Sequence, residues 1–119
     1  MTILVQKFGG SSMATPARRE QVVGHIKEAM AAGYKIVVVV SAMGRSGEPY
    51  ATDTLLGLVD YGKGMDPRDL DLLMSCGEVI SASVLVSELI KAGQAAAVLT
   101  GGQAGILTDD AHGTARIIE

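Results

Sequence analysis

The chain has 119 residues, 48% of them hydrophobic but only 3% aromatic, and a net charge of −3; that length supports one domain with a real core, while the charge argues against nucleic-acid binding. Its longest apolar run, Ile36–Val40, is far too short to cross a bilayer, and the N-terminus lacks the charged-then-apolar order of a signal peptide. With no membrane partner indicated and a single cysteine, Cys76, that cannot close an internal disulfide, a cytoplasmic location is expected.

In chain order, Ile3–Lys7 is rich in β-formers and predicts a first strand. Thr15 is a capping residue followed by Pro16 at the first helical position, which predicts a helix to about Ala32. Val22, Val23, Ile26, Ala29 and Met30 share its apolar face, and Gly33 supplies a left-handed stop. Lys35–Val40 is a β-branched run of the kind covered on both faces in a parallel sheet. Strand, helix and strand make a right-handed crossover.

Arg45–Pro49 reads as a loop, and Thr52–Tyr61 as a helix broken by Gly62-Lys63-Gly64. Asp66-Pro67 starts another helix, with Leu70, Leu73 and Met74 on its buried side. An interruption at Cys76-Gly77 is expected, then a longer helix, Glu78–Lys91, carrying Ile80, Val84, Leu85 and Ile90 and ended by Gly93. Ala95–Thr100 predicts a third core strand. Gly101–Gly113 reads as a loop or hairpin leading to a strand near Ala115–Ile118. There is no internal repeat, low-complexity segment or interdomain linker.

The most chemically suggestive stretch is Val5-Gln6-Lys7-Phe8-Gly9-Gly10-Ser11-Ser12. Paired glycines let amide N–H groups approach an anion, Lys7 adds a mobile cation, and the following helix adds its N-terminal dipole, a combination suited to phosphate. Ser11 and Ser12 either donate hydroxyls to the same anion or only start the helix. Ser41, ending the second strand, emerges at the same sheet edge, where ligands of parallel sheets gather. Glu78, at a helix mouth, is stabilised by the dipole whether or not it has another task. Cys76 reads as a small packing residue, and His25 and His112 as solvent-facing groups without metal-ligand spacing. Gly57–Gly64 imitates a phosphate-binding Walker string, but Gly64 stands where Ser or Thr is needed and a helix precedes it instead of a strand. Gly101-Gly102-Gln103-Ala104-Gly105 lacks dinucleotide spacing, and Ser41 stands where such a site needs an acid for ribose.

Lys7-Phe8-Gly9-Gly10-Ser11-Ser12, Ser41-Ala42-Met43-Gly44, Ser75-Cys76-Gly77-Glu78 and Leu99-Thr100-Gly101-Gly102-Gln103-Ala104-Gly105 occur in the order found in aspartokinases of the amino-acid kinase family, and the whole chain resembles them. The longer loop Gly44–Thr54 is most similar to the diaminopimelate-sensitive type of spore-forming bacteria. The resemblance implies an α/β fold, a three-layer αβα sandwich with a mainly parallel sheet, of which residues 1–119 form the N-terminal part of the catalytic domain. Family catalytic domains are roughly twice this long, with regulatory domains after them.

The implied reaction moves the γ-phosphoryl group of ATP, with Mg²⁺, to the side-chain carboxylate of L-aspartate, giving 4-phospho-L-aspartate at the head of lysine, threonine and methionine synthesis. By resemblance Lys7 is catalytic and contacts the transferred phosphate with Gly9, Gly10 and Ser11. Ser41 and a threonine, aligned at Thr52 with Thr54 as the alternative, hold aspartate, and Glu78 pairs with its α-ammonium group. The adenine pocket, a second phosphate-binding lysine and the α-carboxylate clamp lie beyond residue 119 in the family layout. The isolated chain is therefore expected to lack kinase activity and end-product inhibition, and a homo-oligomer is expected. The alternative is a non-catalytic half-domain that binds an anion or associates with itself.

Overall fold

The β-branched run Ile36–Val40 and the apolar Ile3–Val5 pair as two parallel strands, β1 (Ile3–Phe8) and β2 (Lys35–Val40), in register from Ile3↔Lys35 to Phe8↔Val40. These and all other residues from Met1 to Glu119 are described by a computed structural model. Between the strands run a single turn, α1 (Gly10–Met13), and a long helix, α2 (Pro16–Ala31). Thr15 caps α2 by accepting a hydrogen bond from Arg18 N–H at 3.2 Å, and Gly33 stops it with φ +97°. Parallel strands require such a crossover.

After β2 the chain forms a loop, then α3 (Thr52–Leu56), a 3₁₀ turn at Tyr61–Lys63, and α4 (Pro67–Lys91). The expected helix Thr52–Tyr61 is thus cut short. Gly57, Leu58 and Val59 tighten into i→i−3 and i→i−4 turn bonds instead of continuing it. Asp66 caps α4, accepting from Arg68 N–H at 2.9 Å, with Pro67 at the first helical position.

The expected break at Cys76-Gly77 is absent, because α4 runs continuously for 25 residues. Tertiary contact outweighs the helix penalty of glycine, about 1 kcal/mol relative to alanine: a Cβ on Gly77 would lie 2.9 Å from Ala42 Cβ and 3.1 Å from Leu55 Cδ1. Gly77, Ser81, Leu85 and Leu89 form the buried row of α4 at i, i+4 spacing. Leu85 and Leu89 join Met13, Val22, Val23, Ile26 and Met43 in the core, against half-buried Phe8, Ile36, Val38 and Val40. By length and composition α4 would also pass as a membrane span. Its packing on α2, α3 and β2 supports a core helix instead.

Two expectations about the sheet change. Ala95–Thr100 is not a paired strand, since no backbone hydrogen bond joins it to β2. Its burial alternates as a strand's does, and Ala96 packs on the core. The alanines are too short to close the space towards Ile36, Val38 and Leu89, where a cavity of about 220 Å³ remains. Beyond it, the expected final strand is reduced to one antiparallel bridge, Thr108↔Ile117, with Leu107 and Asp109 bonded across to Glu119 and Arg116.

The second change concerns cover. The parallel α/β arrangement stands, but β1 and β2 both alternate exposed and half-buried residues, so only one face of the sheet carries helices. The molecule is a slab 50 × 34 × 17 Å.

Candidate functional site

Register places the candidate residues before any side chain is considered. The pairing ends at Phe8↔Val40, and Ser41 N–H extends it by donating to Phe8 C=O at 3.2 Å, so Ser41 and Gly9 leave the carboxyl edge of the sheet side by side. The two emerging loops then touch through backbone. Gly44 N–H donates to Gly10 C=O at 2.9 Å, and a Cβ on Gly10 would lie 2.5 Å from Ala42 O and 2.8 Å from Gly44 O.

The paired glycines therefore divide their work. Gly10 is required for loop-to-loop contact, whereas nothing lies within 4 Å of a Cβ built on Gly9, whose surroundings remain open to a ligand. The dipole expected from the following helix is small, because α1 spans only four residues and precedes the long α2. Exposed amides, more than a macrodipole, are what the turn offers an anion.

The segment after β2 is locked in place. Gly44 has φ +88°, and the Glu48 side chain lies over it. Thr54 Oγ1 donates to Glu48 C=O, so the Thr54 hydroxyl is committed to the loop. Thr52, at the start of α3, keeps a hydroxyl without a protein partner. Of the two alternatives, Thr52 is the one left free.

Gly77 brings α4 against Ala42, Leu55 and the carbonyl of Tyr50. Glu78 follows directly, exposed and unpaired, in the middle of α4 and not at a helix mouth. The dipole offered as its stabiliser does not act there, because the effect is confined to the first turn. In sequence Glu78 directly follows Gly77, the residue at which α4 meets the Ala42 turn.

Lys7 is exposed and takes part in neither ion pair of the molecule, Arg68–Asp69 or Asp71–His112. It shares the open face of the sheet with Ile3 and Val5. A shallow groove of about 410 Å³ along β1 is lined by Gln6, Lys7, Phe8, His25, Glu28 and others, and holds none of Ser41, Thr52 and Glu78. His25 is exposed as expected and stacks on Phe8, ring centroids 6.5 Å apart. Ser11 is half-buried at the start of α1 and accepts through its carbonyl from Arg18 Nη1 at 2.8 Å.

Arg19 carries no sequence signal as a site residue. It donates from Nη1 to Met13 C=O at 2.9 Å and approaches Met43 Sδ at 3.7 Å, tying the turn after β1 to the turn after β2. On the helical pattern it is one more polar residue of α2, so periodicity does not single it out. Glu48 is likewise hidden, within a loop legible only from its glycines and proline. For Mg²⁺, no group of three His, Cys, Asp or Glu side chains forms a cation cage.

A parallel sheet whose first glycine turn meets the loop after its second strand defines an α/β protein with two loops joined at the carboxyl edge of its strands. Comparison with known proteins extends this: residues 2–119 match the amino acid kinase family, and the chain belongs to that family. It is 59% identical to Aspartokinase 1 of Bacillus subtilis (strain 168), over 100% of this chain and 30% of that protein. It is 46% identical to the aspartokinase of Pseudomonas aeruginosa, over 99% of this chain and 28% of that protein. A crystal structure of aspartate kinase from Synechocystis superposes with a TM-score of 0.75 at 40% identity, covering 86% of this chain and 17% of that one. The chain thus spans less than a third of the length of the relatives it matches.

Proposed function

We propose that this chain forms the phosphate-facing and amino-acid-facing part of an aspartate kinase, which transfers the γ-phosphoryl group of ATP to the side-chain carboxylate of L-aspartate. The observation that carries this reading is the Gly10–Gly44 backbone contact. It joins the Lys7–Ser11 turn to the Ser41 turn, so that a phosphate group and a small amino acid could be held next to each other. The similarity to proteins named aspartokinase supports the choice of substrate.

The aspartate carboxylate is already ionised at neutral pH and is a competent nucleophile, so no general base is required. Catalysis reduces to holding two anions in line and neutralising developing charge. Lys7 and the amides of Gly9 and Gly10 would serve the phosphate, with Ser11 at its flank. Ser41 and Thr52 would hold the amino acid, and Glu78 would pair with its α-ammonium group. Mg²⁺ would arrive as the counter-ion of ATP. The product, 4-phospho-L-aspartate, would feed lysine, threonine and methionine synthesis in the cytoplasm, with diaminopimelate as the regulating end product of the longer enzyme.

The test is ligand-dependent thermal unfolding. Mg-ATP with L-aspartate should raise the melting temperature of the chain, and the shift should vanish in Lys7→Ala and Glu78→Ala but survive in Lys63→Ala. No shift, or one that both variants retain, would remove the proposed site. A coupled assay on the chain alone should give no turnover above Lys7→Ala.

A further inference from the structure

We infer that Arg19 is a positioning residue for the two-turn site: its guanidinium, lodged between Met13 and Met43, sets the spacing between the Gly9-Gly10 turn and the Ser41 turn, and with it the affinity for phosphate and amino acid held together. The inference rests on the proposed site. Arg19 Nη1 donates to Met13 C=O at 2.9 Å and reaches Met43 Sδ at 3.7 Å. Met13 closes α1, the turn that follows Gly9 and Gly10, and Met43 lies two residues beyond Ser41. One side chain thus touches both loops that leave the carboxyl edge of the sheet.

The base of this strut is rigid. Arg19 N–H donates to Thr15 C=O at 3.0 Å in the first turn of α2, next to the Thr15 cap and Pro16. Its neighbour Arg18 donates from Nη1 to Ser11 C=O at 2.8 Å, so both arginines hold α1, but of the two only Arg19 continues to the second loop. What it holds is soft without it. Met13 and Met43 are buried, and an unbranched thioether side chain adapts to its surroundings instead of fixing a position. The directional bond from Arg19 supplies what methionine packing does not, alongside the backbone bond from Gly44 N–H to Gly10 C=O.

Stability alone does not account for this residue. Arg19 Nε is buried and has no hydrogen-bond partner, and an unmet buried donor is destabilising. An apolar helix former of similar length, such as methionine, would fill the space without that penalty. The arginine is explained by placement, as are buried polar groups that fix a register.

Arg19→Met, which keeps an unbranched stem and removes the donors, tests this in two ways. Without ligand, amide exchange of Gly44 N–H should rise about tenfold as the joint between the loops loosens, while exchange at Val23 and Ile26 within α2 stays unchanged. With saturating Mg-ATP, calorimetric titration of L-aspartate should give a dissociation constant raised about fivefold or more, since displacing one half of a site weakens what the two halves hold jointly. Lys27→Met removes another tie from the same helix, the 3.1 Å donation of Nζ to Ala92 C=O, and should leave both readouts unaltered. Unchanged Gly44 exchange, a rise shared equally by α2, or an unchanged L-aspartate dissociation constant overturns the inference. A merely structural arginine would give the shared rise, because global destabilisation opens every amide and leaves the affinity of the native state alone. A wild-type chain that takes up neither ligand overturns the proposed site, and Gly44 exchange then decides Arg19 by itself: raised, it upholds the tie between the turns, and unchanged, it overturns it.

Discussion

Two neighbouring glycines, identical in a composition count, have separate physical roles. Gly10 is fixed by backbone atoms that cannot rotate away, Ala42 O and Gly44 O, whereas Gly9 faces open space with φ −73°. Gly10→Ala should therefore cost about 2 kcal/mol or more in urea unfolding, as overpacking against rigid neighbours does. Gly9→Ala should stay within about 0.5 kcal/mol, since it adds a methyl group to unoccupied space. If the turn holds phosphate, Gly9→Ala should weaken the Mg-ATP shift while leaving the melting temperature without ligand unchanged. Equal destabilisation by both substitutions would contradict the division of roles.

For helices, the same residue type shows how context overrides propensity. Gly24 lies within α2, exposed, with nothing within 4 Å of the position a Cβ would take, while Gly77 lies within α4 against Ala42 and Leu55. Gly24→Ala should stabilise the chain by about 1 kcal/mol, through helix propensity and a less flexible unfolded state. Gly77→Ala gains the same propensity but must displace Ala42 or Leu55. Its net effect should be a loss of about 1 kcal/mol or more, and it should move Glu78 relative to the Ser41 turn. Denaturation midpoints of the two variants should shift in opposite directions.

Across the whole molecule, stability is unevenly distributed. The core gathers between α2, α4 and one side of the β1–β2 pair, while the C-terminal segment is tied back chiefly by Asp71, whose Oδ2 accepts from Gly113 N–H at 2.9 Å and pairs with His112 Nδ1 at 3.3 Å. Asp71→Ala should raise amide exchange through residues 107–119 by severalfold while exchange in α2, β1 and β2 stays unchanged. A uniform rise would mean that this clasp belongs to the global folding unit. The uncovered sheet face, in contrast, is a property of the whole slab and not of any one residue.

Local signals in the sequence were enough for the two strands, for α2 with its Thr15 cap and Gly33 stop, and for the start of α4 at Asp66-Pro67, because each depends on periodicity or on a cap within a few residues. The spaced motifs were likewise enough to indicate the family, while the site at Lys7, Gly9, Gly10, Ser11, Ser41, Thr52 and Glu78 stands as a proposal that rests on that resemblance. Only the tertiary structure decided that Cys76-Gly77 lies inside one helix, that Gly10 serves packing and Gly9 faces open space, and that Thr54 is committed to Glu48. It also decided that Arg19 spans two turns and that the sheet is covered on one side. In each case the deciding contact joins residues far apart in the chain or depends on what packs above a strand, and neither periodicity nor propensity carries that information.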